Sequence, residues 1–120
     1  MTKEDFVAAV KEIVTDQSTQ SIIDLLRSVP GRNPKPALLK WSNWYNSIDE
    51  TDRSHIKEIV KEATAQATFS FLCIIDGVTV IEDSIDKGKL KLEYIKPDES
   101  TVLLNDPDED YLHDLYNEIT

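Results

Sequence analysis

Hydrophobic residues recur at helical spacing through most of the first 75 positions, and strict alternation takes over only near residue 90. Phe6, Val7, Val10, Ile13 and Val14 form a stripe that predicts a helix from Lys3 to about Asp16, opened by a box-like Thr2 and Asp5. A second helix is expected from Ser18 or Thr19, with Ile22, Ile23, Leu25, Leu26 and Val29 inward and Pro30-Gly31 as its stop. Asn33 is placed to cap a third helix with Pro34 in its first turn, while Lys35 before Pro36 resists helical angles and can delay the start. Leu38, Trp41, Tyr45 and Ile48 share one face of that helix, with Trp44 beside them. Both tryptophans are therefore expected to be core anchors, each costing ~3–5 kcal/mol to truncate.

A longer helix follows, capped by Asp49 with Asp52 three residues on. Ile56, Ile59, Val60, Ala63, Ala67, Phe71 and Ile74 keep its period, and Gly77 ends it. The stretch "FLCIIDGVTVIE" also reads as two strands around an Asp-Gly turn. The unbroken period from Ile56 and the helix-favouring "EATAQA" upstream favour the helix. In "KLKLEYI" the residues Leu90, Leu92 and Tyr94 share a strand face, and "STVLL" can return after the turn at Lys96-Pro97-Asp98-Glu99. "VTVIE" is a candidate third strand, since a lone hairpin is only marginally stable. A closing helix is expected with Asp106 as cap, Pro107 at its first position and Glu109 completing the box, burying Leu112, Leu115, Tyr116 and Ile119. The expected fold is a helix-dominated α+β single domain over residues 1–120. It has about four N-terminal helices, a small antiparallel hairpin or three-stranded meander, and a C-terminal helix.

Two segments, "FSFLCIIDGVTVIED" and "VLLNDPDEDYLHDLYNEI", bring in a resemblance. From about Trp41 onward the chain resembles a small family of uncharacterised bacterial proteins. The resemblance implies no activity, cofactor or catalytic residue.

Charge changes the picture more than composition does. The chain carries a net charge of −10. No lysine or arginine follows Lys96, whereas Asp98, Glu99, Asp106, Asp108, Glu109, Asp110, Asp114 and Glu118 do. Residues 1–96 are thus close to neutral. From Leu25 to Ile48 the order is reversed, with Arg27, Arg32, Lys35 and Lys40 and no carboxylate. Neutralising phosphates needs a surplus of cations, so no unselective nucleic-acid binding is expected. No apolar run approaches the ~18 residues of a membrane helix, and acids among the first residues argue against a signal peptide. A cytoplasmic location is the expectation.

Candidate chemistry is sparse. His113 lies within a helical turn of Asp110 and Glu109, and His55 within one of Asp52 and Glu58, spacings that can ligate zinc, iron or manganese. Any acidic helix with a histidine meets that description, and neither an H-E-x-x-H nor a paired E-x-x-H motif is present. "DPDEDYLHDLYN" imitates a calcium loop, but Tyr111 stands at its glycine position and Asn117 at its bidentate glutamate. Cys73, flanked by Leu72 and Ile74, is expected to be buried and unreactive. No nucleophile elbow or phosphate-cradling glycine loop is present.

No catalytic residue, metal ligand or cofactor is assigned. The leading expectation is a non-enzymatic acidic binding protein, of the immunity-inhibitor type. Asp98, Glu99, Asp106, Asp108, Glu109, Asp110 and Asp114 would engage a basic protein. The alternative is a small metal-binding or hydrolytic domain centred on His113 with Asp110 or Glu109. Self-association is a third possibility, with Arg27, Arg32, Lys35 and Lys40 of one chain against the acids of another. Either charge-driven contact would weaken as salt rises.

Overall fold

The computed structural model covers residues 1–120 and is helix-dominated, with one two-stranded sheet. Its elements are α1 (Lys3–Val10), a π-helical turn (Lys11–Asp16), α2 (Gln17–Arg27), α3 (Pro36–Ser47), α4 (Glu50–Ile75), β1 (Glu93–Ile95), β2 (Thr101–Leu103) and α5 (Leu112–Ile119). This is the α+β arrangement that the hydrophobic pattern predicts, with the hairpin and without the meander.

The first two expected helices are one continuous rod. Thr2 and Asp5 form a reciprocal capping box at its start. The backbone then stays right-handed helical through Val10, Asp16 and the π turn between them. The turn has a register consequence. The inward positions Lys3, Val7, Thr15, Thr19 and Ile23 fall at multiples of four, and on a pure α-helix each step of four drifts by ~40°. The wider turn, with Gln17 N–H bonded to Glu12 C=O, absorbs an extra residue and returns Thr15 and Thr19 to the face of Val7. Ile13 and Val14, expected inside, are turned to solvent at 57% and 45% exposure. Ile22 is likewise outside the core.

The cap expected at Asn33 is not used. α3 starts at Pro36, with Lys35 extended before it. Its inward residues are Ser42 and Tyr45, while Trp41 and Trp44 are 52% and 55% exposed, against the expectation that they anchor the core. The cause lies at the C-terminus of α2, whose last carbonyls lack helical partners. Ser42 Oγ donates to Leu26 C=O at 2.8 Å, and Asn46 Nδ2 donates to Arg27 C=O at 3.1 Å. Facing those polar side chains towards α2 turns the indoles away.

α4 is helical to Ile75, so the competing hairpin around Asp76-Gly77 does not form. Gly77 takes φ +78°, a region open to glycine, and Val78 N–H returns to Cys73 C=O at 3.1 Å. "VTVIE" makes no strand. Residues 78–91 run outside the body, exposed along their whole length, with no partner strand. β1 and β2 pair antiparallel with Tyr94 opposite Val102.

Two separate cores result. Val7, Leu72, Leu112 and Tyr116 form the larger, with Phe6, Val10, Phe69, Ile75, Leu92 and Leu115 packed on it. Ile23, Leu26 and Tyr45, with Ile56 against them, form the smaller at the α2–α3 corner. Between the two, the rod meets α4 through threonines. Thr19 Oγ1 lies 2.9 Å from Thr64 Oγ1 and donates to Thr15 C=O, Thr68 Oγ1 donates to Thr64 C=O, and Thr15 pairs with the Tyr116 hydroxyl.

Candidate functional site

The acidic tail is built differently from its sequence pattern. The closing helix begins at Leu112, and residues 106–110 form a loop in place of the expected first turn. Asp106 Oδ1 accepts from Asp108 N–H at 3.0 Å, and Asp106 C=O accepts from Glu109 N–H, so the expected cap closes a tight turn instead. The cap of α5 comes from elsewhere. Asp76, whose side chain is fully buried at the end of α4, accepts from the N–H groups of Leu112 and His113 at 3.2 and 2.8 Å. It also accepts from His113 Nδ1 at 2.6 Å.

The loop is fastened from below by Lys3. Its side chain is only 6% exposed, and Nζ donates to the carbonyls of Asp106 and Asp110 at 3.0 and 2.8 Å, with Glu109 Oε2 at 3.8 Å. Two of the three donors of the ammonium are thus bonded to this loop. Asp108, Glu109 and Asp110 consequently stand in solvent on a fixed backbone. Asp114 is exposed on the first turn of α5.

Asp98 and Glu99 sit apart from these, in the hairpin turn at the other end of β2. Ser100 donates its hydroxyl and its N–H to Asp98 Oδ1, at 2.6 and 3.0 Å, and these bonds hold the Asp98 carboxyl below its ordinary range. Glu99 adopts φ +69°, unusual for a residue with a side chain. The acids therefore form two groups, joined by one short strand.

The basic residues are at the far end of the rod. Arg27 closes α2, Arg32 lies in the following loop, Lys35 precedes α3 and Lys40 is on it. All four are exposed and none takes part in an ion pair. The rod's 25 residues separate them from Lys3 by about 36 Å. Acidic and basic ends cannot meet within one molecule.

Around His113 the structure places Asp76 and Asp114. The imidazole is held by Asp76 and, through Nε2, by Asp114 at 3.3 Å. Its ring stacks on Tyr111 and meets Phe69 edge-on. The His113–Asp76 pair thus orients a helix start. No group of three or more His, Cys, Asp or Glu side chains is placed to hold a metal. Cys73 is buried, and burial, then the carboxylates of Asp76 and Asp114, pushes its thiol above the usual 9.0. A polar cleft of about 920 Å³ lies between the π turn, α4 and α5, with Lys11, Asp16, Glu58 and Glu62 on its walls and neither histidine nor cysteine among its lining.

Pattern reading missed Lys3, Asp76 and Asn105. Asn105 is buried and joins three segments, accepting from Leu92 N–H and donating to Ile75 C=O and Leu90 C=O. All three act over long sequence separations. The one available signal was Asp76 itself, a carboxylate closing an otherwise apolar run.

Comparison of the chain with protein-family models, curated proteins and solved structures finds no match. No helix is long and apolar enough to cross a membrane.

Proposed function

We propose that this chain is a non-enzymatic, cytoplasmic binding protein that engages a basic protein through its acidic end, in the manner of an immunity-type inhibitor. One observation carries the reading. A buried lysine fixes the backbone of residues 106–110 and leaves Asp108, Glu109 and Asp110 outward. A merely solubilising face needs charge but no fixed geometry. A recognition loop gains from being ordered before its partner arrives, because less entropy is lost on binding. Asp114 and the turn acids Asp98 and Glu99 extend the field, which speeds encounter and sets orientation.

The test is association kinetics against a panel of basic nucleases, with an arginine-rich peptide as a control probe. Wild type is compared with the Asp106→Asn, Asp108→Asn, Glu109→Gln, Asp110→Asn variant, in which the amide introduced at position 106 retains an oxygen for the turn. The variant should associate roughly 10-fold more slowly at low salt, and the difference should shrink as salt rises. Salt-independent association at equal rates in both proteins would reduce the acidic end to a solubilising surface.

A further inference from the structure

The chain is more open than its size allows for a compact monomer. Its accessible surface is 8657 Å² at 13.7 kDa, where a folded monomer of that mass exposes about 6,600 Å². Its radius of gyration is 18.6 Å, against about 13.6 Å for a compact domain of 120 residues. The excess surface, about 2,000 Å², is as much as one partner contributes to a large obligate interface.

Part of that surface is one face of α4. A stripe about 100° around the helix from Thr64 and Thr68 carries Ile59, Ala63, Ala67 and Phe71 at strict four-residue steps, all exposed, with Ile59 at 67% and Phe71 at 61%. Half-buried Ile56 and Ile74 flank them, and no charged residue lies on this face between those two isoleucines. Such a ridge, about 27 Å long, is unusual on a chain with 30% charged residues. It is also nearly palindromic about Ala65. Ile59 mirrors Phe71 and Ala63 mirrors Ala67. Large residues at the ends and alanines at the centre let two copies approach closely when antiparallel.

We propose that a second copy of this chain covers the ridge, α4 against α4, about a two-fold axis that passes between Ala63 and Ala67. A two-fold contact must be self-complementary, and this face is. Each Phe71 then packs beside Ile59 of the other copy, and alanine meets alanine at the axis. The exposed arm after Gly77, with Val80, Ile81 and the 101%-exposed Ile85, leaves α4 next to where the other copy's α4 begins, and adds apolar surface to the same contact. A charge-free interface also keeps two chains of −10 from opposing like charges at close range. Pairing of acidic with basic ends has neither property. It is head-to-tail, leaves both terminal sites free and weakens with salt.

Mass measurement across a concentration series, by light scattering and sedimentation, decides between them. Wild type should be a closed dimer at micromolar concentration, unchanged or tightened by rising salt. Ala67→Glu, a helix-compatible change at an exposed site, should raise the dimer dissociation constant at least ~100-fold with helical content and melting unchanged at high dilution. Ala63→Cys and Ala67→Cys proteins, with buried Cys73 left in place, should cross-link when mixed and far less when separate. A monomer up to 100-fold above that range would overturn the proposal and leave the ridge to a different protein. So would a dimer indifferent to Ala67→Glu, one dissolved by salt, or cross-linking of either cysteine variant alone as strong as in the mixture.

Discussion

The two ends of the helical rod are held by different means. At the α1–α5 end, a larger apolar core is overlaid by buried polar fasteners. Lys3 holds the acidic loop, Asp76 caps α5, and Asn105 ties the hairpin to α4. At the α2–α3 end, three buried side chains and the hydrogen bonds of Ser42 and Asn46 to carbonyls hold the corner, with both tryptophans outside. Apolar burial supplies most stability, whereas buried polar groups act chiefly through the penalty for leaving them unpaired. One end is therefore both stronger and more precisely fixed. The acidic surface belongs to that end, and the basic surface to the looser one.

Core truncation tests the contrast most strongly. Leu112 is 0% exposed in the larger core, and Leu112→Ala should cost ~3–5 kcal/mol in denaturant unfolding. Leu26 is 8% exposed in the smaller core, and Leu26→Ala should cost ~2–3 kcal/mol. Native-state hydrogen exchange should show amides of α3 opening at lower free energy than those of α5. Equal costs and uniform protection would mean that the two cores unfold as one unit.

Removing fasteners without touching apolar packing is the next largest effect. Lys3→Met keeps the stem and strands the carbonyls of Asp106 and Asp110, at about 2–3 kcal/mol. Asp76→Asn retains an acceptor for α5 but loses the charge-assisted bonds, at about 1–2 kcal/mol. Thermal unfolding of both variants measures this. Losses near zero would show that the acidic end rests on its apolar core alone.

At the other end the expected effect is small. Trp41→Ala and Trp44→Ala should each cost under ~1 kcal/mol, since each residue is already more than half exposed. A loss near 3 kcal/mol at either would mean that the indole is covered, by a partner if not by its own chain. These tryptophans also show where pattern reading stops. Helix existence, the extent of α4 and the hairpin were legible, because each rests on local periodicity and turn chemistry. Helix rotation was not. α3 turns by about one residue so that Ser42 and Asn46 reach the free carbonyls of α2, a demand created only when the two helices meet. The π turn does the same to Ile13 and Val14, and Asp76 displaces the cap that the sequence offers at Asp106. The acidic and basic segments were legible as charge runs. Their separation by a continuous rod was not, because Ser18 and Thr19 read as a helix start where the chain continues as helix.

The smallest effect belongs to Cys73, at the stronger end. Burial, then Asp76 and Asp114, raises the native thiol above its usual 9.0, so the folded chain keeps this proton to higher pH than the unfolded chain does. The associated stability is fully present below about pH 8 and is lost as pH rises past 9, when the unfolded thiol ionises first. One group contributes at most a slope of about 1.4 kcal/mol per pH unit, so the loss stays below that limit. Cys73→Ala lowers stability at neutral pH by leaving a small void, but it should flatten the alkaline slope relative to wild type. Lysines and tyrosines titrate in the same window, so the difference between the two proteins carries the information. The same burial predicts slow labelling of native Cys73 by a thiol reagent, with the rate set by opening of the protein. Parallel alkaline slopes together with labelling as fast as in denaturant would place the thiol at the surface.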